Sequence, residues 1–406
     1  MRIAYLCADR GVPVVGSGGS SVHLSEFVRA LVERGHEVTV FAANPGQAAR
    51  PSDFPAPVVA LAGDPVLNEV RTEIAKRHRS APGEPSPRAS EIFSLLLNQT
   101  ARMALESWQG GFDVVYERLS LWSIAGLQYA RDRGVPLIVE VNAPLSKQQR
   151  EYRDLEFPDA AEAIERTVLA GADRILVTAE ALIDYVHERG ASRRKVRVLP
   201  CGVARRMFTD PAKRRPVDPN HFVLGFLGSL KPWHGIDVLL DAFTALRERS
   251  RAYHLLVVGD GPLRAYIELV ARERGLGGAI ELAGAVGHDR VPEYLARMDA
   301  GLAPYPPLDP FYFSPLKVWE YAAAGVPIVA SASGEIPVMF PHKKAALIHA
   351  PGSVRKIVRH VERLRAEPDL GPRLARRARR VARERTWDRL AARFEDIAAD
   401  AGVGRR

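Results

Sequence analysis

Short apolar strands and amphipathic helices alternate along this 406-residue sequence, and the alternation predicts an α/β protein of two doubly wound, Rossmann-like domains facing across a cleft. Two further observations agree. The chain is long for a single hydrophobic core, so a division into residues 1–203 and 204–385 is expected. The second half also repeats a strand, glycine turn, helix unit three times, the punctuation of parallel sheets.

In order, the first half is expected to form strands over 3–7, 38–42, 58–61, 114–116, 137–141, 175–177 and 196–199, with helices between them. The opening RIAYLCA is too short, and too closely flanked by charge, for a secretory signal. Residues 81–87 (APGEPSP) read as a loop leading into a helix over 89–108. In the second half, strands near Phe222, Leu255, Ile280, Ala300 and Ile328 alternate with helices, and a last helix follows Thr386.

With 47% hydrophobic and 26% charged residues, the composition is that of a soluble globular protein. It lacks the run of about 18 uncharged apolar residues that a membrane-spanning helix needs. Cys7 and Cys201 lie in or beside apolar strands without metal-ligand spacing, and the setting reads as cytoplasmic; no cofactor is expected. The net charge of +9 comes largely from a stretch over 373–394. There the arginines interleave with Leu374, Ala375, Val381 and Leu390, a solvated amphipathic face, with peripheral contact to an anionic inner-membrane face as the alternative. Nucleic acid is excluded as a partner, since no stacking aromatics or known module accompany the charge.

The most informative segment is FYFSPLKVWEYAAAGVPIVAS over 311–331. Ser314 suits an N-cap and Pro315 the first helical turn; their neighbouring N–H groups, with Lys317, form an anion site. Glu320, three residues beyond Lys317, can accept both hydroxyls of a diol such as ribose. The plainer alternative is a capped helix with Lys317 and Glu320 as a solvated pair. A second turn, FLGSLKPWHG over 226–235, supplies Gly228 and Lys231. A third, HLLVVGDGPLRAYI from His254, supplies Gly259, Asp260, Gly261 and Pro262.

These three turns, in this order, resemble the nucleotide-sugar domain of family 4 retaining glycosyltransferases of the GT-B fold. The resemblance extends to MRIAYLCADRGVPVVGSGGSSVHLSEFVRALVERGHEVTVFAA at the start. In VRVLPCGVARRMF, Cys201 stands where that family has asparagine. It implies transfer of a sugar from a UDP- or GDP-sugar to a small-molecule, glycan or lipid-linked acceptor, without metal. It places Lys231 and the amides near Ser314, Pro315 and Leu316 on the diphosphate, with Glu320 on the ribose and the base near Val286. Gly18 and Gly19 of the 16–20 loop would approach the donor, and a final helix over 386–402 would pack back on the first domain.

The chain departs from the family pattern at four further positions. Ser229 replaces an arginine and His234 a lysine, for which Lys231 and a phosphate-donating His234 are the expected compensation. Tyr312 replaces the first of two glutamates. Asn142 replaces a histidine, with Glu140 beside it as a candidate base. The expected catalytic set is therefore Lys231, Glu320, Asn142 and Glu140. Acceptor contacts are expected from His23, from Arg118 with its neighbours Tyr116 and Glu117, and from a basic face of Lys147, Arg150 and Arg153. Two other readings remain open: a same-fold enzyme using a non-hydroxyl nucleophile, such as a phosphorylase or epimerase, and a non-catalytic nucleotide- or membrane-surface-binding protein.

Overall fold

The computed structural model describes residues 1–46, 54–63, 65–77, 79–81, 84–152, 154–210, 218 and 220–404. It forms two compact units, the first comprising Met1–Gly16, His23–Pro200 and Leu390–Arg406, the second Ser17–Val22 and Cys201–Arg389. No helix among the described residues is long and apolar enough to cross a membrane.

The first unit is built on β1 (Arg2–Cys7), β2 (Glu37–Ala42), β3 (Val58–Ala60), a hairpin of β4 (Arg79–Ala81) and β5 (Glu84–Pro85), β6 (Val114–Arg118), β7 (Leu137–Val141), β8 (Arg174–Val177) and β9 (Val196–Val198). Seven of these make one sheet in the order β3-β2-β1-β6-β7-β8-β9, every pairing parallel. Helices cover both faces, so β6 and β7 are buried along their whole length and, apart from Glu117, Arg118 and Glu140, read as apolar runs. The small hairpin falls where a loop was expected; Pro82 and Gly83 of that stretch lie outside the described residues. After it, Ser86 accepts the Ala89 N–H at 3.1 Å and caps the helix Pro87–Ser107, whose first residue is proline.

The last helix, Trp387–Asp400, enters the first unit at Leu390. Phe394 is fully buried there, edge-on to Phe27 at 5.6 Å and to Tyr116 at 5.3 Å. Arg34 and His36 donate to Glu395, and Arg174 to Asp400.

The second unit holds β10 (Phe222–Leu227), β11 (Tyr253–Val258), β12 (Ile280–Gly284), β13 (Ala300–Ala303), β14 (Ile328–Ser331) and β15 (Leu347–His349), all parallel, in the order β12-β11-β10-β13-β14-β15. The unanticipated β15 is three residues long, too short to carry a periodic signal. Helix Leu316–Ala324 is apolar except for Lys317 and Glu320 and is buried from Lys317 onward. Its Tyr321 ring enters the space left by the missing side chain of Gly301, where a β-carbon would fall 2.6 Å from the ring. From there the Tyr321 hydroxyl accepts the Leu227 N–H at 2.8 Å, tying the helix to the end of β10. Helix Leu370–Ala382 covers it, and Arg379 donates to the Ala323 carbonyl at 2.8 Å, a cation at a helix C-terminus. The same helix buries Leu374, Ala375, Ala378 and Ala382 and exposes Arg373, Arg376, Arg377 and Arg380, an amphipathic face.

Candidate functional site

The order of the second sheet reverses between β10 and β13, where open α/β sheets leave a crevice beyond the strand C-termini. Gly228 follows β10 with φ of 130°, and a β-carbon on it would stand 3.2 Å from Cε and 3.3 Å from Nζ of Lys317. The bare turn therefore lets the lysine come up beneath it. Gly259, at the end of β11, packs so closely that its own β-carbon would meet the Gly228 carbonyl oxygen at 2.1 Å.

Lys317 Nζ lies 4.1 Å from the centre of the Phe226 ring and 5.2 Å from that of Tyr305, and it is buried without a hydrogen-bond partner. Burial lowers its pKa to about 7, against the opposing pull of Glu320. Glu320 shares the helix face three residues on, its side chain only 9% exposed. Its Oε1 accepts the His288 Nε2–H at 2.6 Å. Arg206 donates to His288 Nδ1, also at 2.6 Å; a guanidinium only donates, so Nδ1 carries the lone pair and Nε2 the proton. Among the described residues Glu320 Oε2 accepts no hydrogen bond, and no ion pair joins Glu320 to Lys317. The solvated Lys317–Glu320 pair considered for this helix is thereby corrected: both groups are buried and each is separately held.

Ser314 does not cap the helix. Pro315 occupies the cap position with φ of −81° and ψ of 75°, an inverse γ-turn closed by the Leu316 N–H on the Ser314 carbonyl at 2.9 Å. Ser314 Oγ instead accepts the Cys201 N–H at 3.2 Å. Pro315 has no N–H to offer and that of Leu316 is engaged, so neither supplies the free amide expected for a diphosphate. His234 is corrected likewise. Its Nδ1–H donates to the Ser229 carbonyl at 2.6 Å, and burial, with Lys317 and Lys231 nearby, lowers its pKa to about 3. It is a neutral ring with Nε2 as an acceptor, not a phosphate donor. Lys231 Nζ stands 5.0 Å over the Trp233 ring, which stacks on Phe313 at 6.5 Å; Tyr312 lies 4.4 Å from Phe313. Val286 is half-buried in the loop after β12, two residues before His288. Gly18 and Gly19 are exposed; a β-carbon on Gly18 would meet nothing within 4 Å, and one on Gly19 would touch Leu316 at 3.6 Å, within the second unit.

In the first unit, beside the reversal between β1 and β6, four expected residues converge. Glu140 Oε1 is 2.6 Å from His23 Nε2, while its Oε2 accepts from Asn142 Nδ2 at 3.0 Å and from Arg118 at 3.4 Å. Burial alone would raise the Glu140 pKa, but His23, Arg118 and Asn142 outweigh it and hold the carboxyl down at about 2. So low a value corrects the expectation of a general base: Glu140 is an ionised clamp that orients His23, Arg118 and Asn142. The neighbouring Glu117 carboxyl is buried with Ser123 donating to it at 2.6 Å, and burial raises its pKa to about 7. Lys147 and Arg150 lie outside this cluster, paired with Glu188 at 3.2 Å and Glu162 at 2.8 Å on exposed helix surfaces. Arg153 lies outside the described residues. No group of three or more His, Cys, Asp and Glu among the described residues could hold a metal ion.

His288 and Arg206 were not anticipated, and neither were the rings of Phe226 and Tyr305 around Lys317. One histidine among 11, in an irregular loop, carries no sequence signal that sets it opposite Glu320.

Two parallel sheets, each with a polar cluster at its reversal point, match known structures along almost their whole length. HepE of Anabaena in complex with UDP and glucose superposes with a TM-score of 0.71 at 16% identity, covering 98% of this chain and 99% of that one. Sucrose-phosphate synthase of Thermosynechococcus elongatus gives 0.76 at 18%, covering 98% of each chain. The fold is thus that of the GT-B glycosyltransferases. The family model described as Glycosyltransferase Family 4 matches residues 17–205, and that described as Glycosyl transferases group 1 matches 221–367. The chain belongs to the family 4 glycosyltransferases. It is 28% identical over 392 residues to D-inositol 3-phosphate glycosyltransferase of Actinosynnema mirum, covering 92% of this chain and 90% of the relative. It is 26% identical over 403 residues to MMP α-(1→4)-mannosyltransferase of Mycolicibacterium hassiacum, covering 92% and 93%.

Proposed function

We propose that this glycosyltransferase uses a UDP- or GDP-sugar, retains the anomeric configuration, and needs no metal ion. The observation that carries the reading is a pair of buried polar groups one helical turn apart at the sheet reversal: the unpartnered Lys317 Nζ under Gly228, and Glu320 with Oε2 open. A cation beside a bare glycine turn suits a diphosphate, and a carboxylate next to it suits a ribose diol.

In this reading the acceptor hydroxyl attacks the anomeric carbon from the face that the diphosphate leaves. One C–O bond forms as the other breaks, with the electron pair and the acceptor's proton passing to the diphosphate. Lys317 stabilises the growing negative charge, the work a divalent ion does in other enzymes. The His23–Glu140–Arg118–Asn142 cluster serves the acceptor side. The names of the relatives favour small polar acceptors, an inositol phosphate among them, and the UDP complexes of HepE favour uridine.

Thermal shift with UDP, GDP and ADP tests it, with Glu320→Ala as matched control. A ligand at a hundred times its Kd adds about 2.7 kcal/mol of stability. A shift with one diphosphate that shrinks in the variant supports the reading, and no shift with any of the three overturns it. The configuration of the product, read by NMR, tests retention.

A further inference from the structure

We propose that His288, fixed by Arg206, is the positioning residue through which Glu320 selects ribonucleotides over deoxyribonucleotides; this rests on the nucleotide reading of the same site.

Glu320 reaches the site from a helix whose other polar contacts leave its carboxylate unheld: Lys317 makes no ion pair with it, and its single hydrogen bond among the described residues comes from His288. A nine-tenths-buried carboxylate with one oxygen engaged cannot rotate without giving up a charge-assisted bond. Oε2 is therefore the oxygen left to accept hydroxyls from a bound molecule. The ring that holds it is itself oriented. Arg206 can only donate, so it requires the lone pair on Nδ1 and leaves the proton on Nε2, facing the carboxylate. A flipped ring or the other tautomer would set two lone pairs, or two donors, against each other.

The three residues come from separate parts of the second unit. Arg206 lies in the short helical turn Arg205–Met207 near the unit's start, His288 in the loop after β12, and Glu320 on helix Leu316–Ala324. The relay thus assembles only in the folded unit. Its chemical product is a carboxylate held at a fixed angle beside a buried ammonium, able to tell a vicinal diol from a single hydroxyl next to a diphosphate.

The test uses the full chain and calorimetric binding of UDP, GDP and ADP and of their 2′-deoxy counterparts. The wild-type protein is expected to prefer the ribonucleotide by about tenfold or more. His288→Phe keeps the ring's bulk without its nitrogens, and the preference should fall to about twofold. The 2′-deoxy ligand should bind nearly as well as it does to wild type. His288→Gln, which keeps both an N–H for Glu320 and a carbonyl for Arg206, should restore most of the preference. In a Glu320→Gln background, His288→Phe should have little further effect, because the two act as one unit. Equal weakening of ribo and deoxy ligands by His288→Phe, or additive effects in the double variant, would overturn the inference and leave the nucleotide reading standing. Absence of binding by the wild-type protein to all three diphosphates would overturn both.

Discussion

Lys317 Nζ lies 3.3 Å from where a β-carbon on Gly228 would stand, so one side chain's position depends on another's absence. Gly228→Ala pushes on the lysine terminus and also forces an L-residue to φ of 130°. The variant is expected to lose about 1–3 kcal/mol in urea unfolding and to bind UDP more weakly, the first from backbone strain and the second from the displaced cation. An alanine variant as stable as the wild type would mean that the turn relaxes freely.

In the proposed reading Lys317 serves binding at the expense of stability. Burying an unpaired ammonium is unfavourable, so Lys317→Met should raise the stability of the ligand-free protein at pH 6 by about 1–3 kcal/mol while abolishing the thermal shift with nucleoside diphosphates. Differential scanning calorimetry with and without UDP reads both effects. A methionine variant that is less stable and still binds would show that the lysine's partner is within the protein.

The same residue sets a pH dependence. Burial lowers its pKa to about 7 from 10.5. Below pH 7 it is charged whether the chain is folded or not. Between 7 and 10.5 the unfolded chain holds a proton that the folded one has released, so this group's contribution to stability rises with pH across that window. Binding runs the other way, because a diphosphate needs the charged form. The affinity for UDP should fall by up to about tenfold per pH unit above 7, and titration calorimetry in buffers of different ionisation enthalpy should register proton uptake. A flat profile from pH 7 to 9 would remove Lys317 from the diphosphate.

Glu140 makes the opposite contribution in the first unit. Its pKa is held at about 2, below the ordinary 4.5, so the stabilisation is complete above 4.5 and is lost as the pH falls toward 2. Glu140→Gln leaves His23 and Arg118 facing a neutral amide in a buried site, and a loss of about 3–5 kcal/mol is expected at pH 7, shrinking in acid. Chemical unfolding at pH 7 and pH 3 measures the difference. Equal losses at both would mean that packing, not charge, holds the cluster.

Phe394 provides a packing test. The ring is fully buried against Phe27 and Tyr116. Phe394→Ala should destabilise the first unit by about 3–5 kcal/mol, seen as an earlier transition in a thermal melt. A loss below about 1 kcal/mol would mean that the end of the last helix is only loosely attached.

Much of the fold was legible because local pattern specifies it. The runs at 3–7, 114–116 and, apart from Glu140, 137–141 are apolar on both faces of a strand, and parallel strands covered by helices require that. The short β15 and the small hairpin were missed because neither is long enough to show a period. The site was legible in part. Lys317 and Glu320 stand three apart on one helix, a relationship written in the chain itself.

What residue order determined by itself, then, was the class of fold, the parallel sheets and the residue types gathered at the strand ends, because periodicity and glycine turns act over a few neighbouring residues. Only the tertiary structure decided the state of those residues. It turned His234 into a neutral acceptor through the Ser229 carbonyl, withdrew Ser314 to the Cys201 amide, and made Glu140 a clamp instead of a base. It also set His288 and Arg206 behind Glu320, from 32 and 114 positions away. Protonation and orientation depend on burial and on partners distant in sequence, and a chain of letters specifies neither until it is folded.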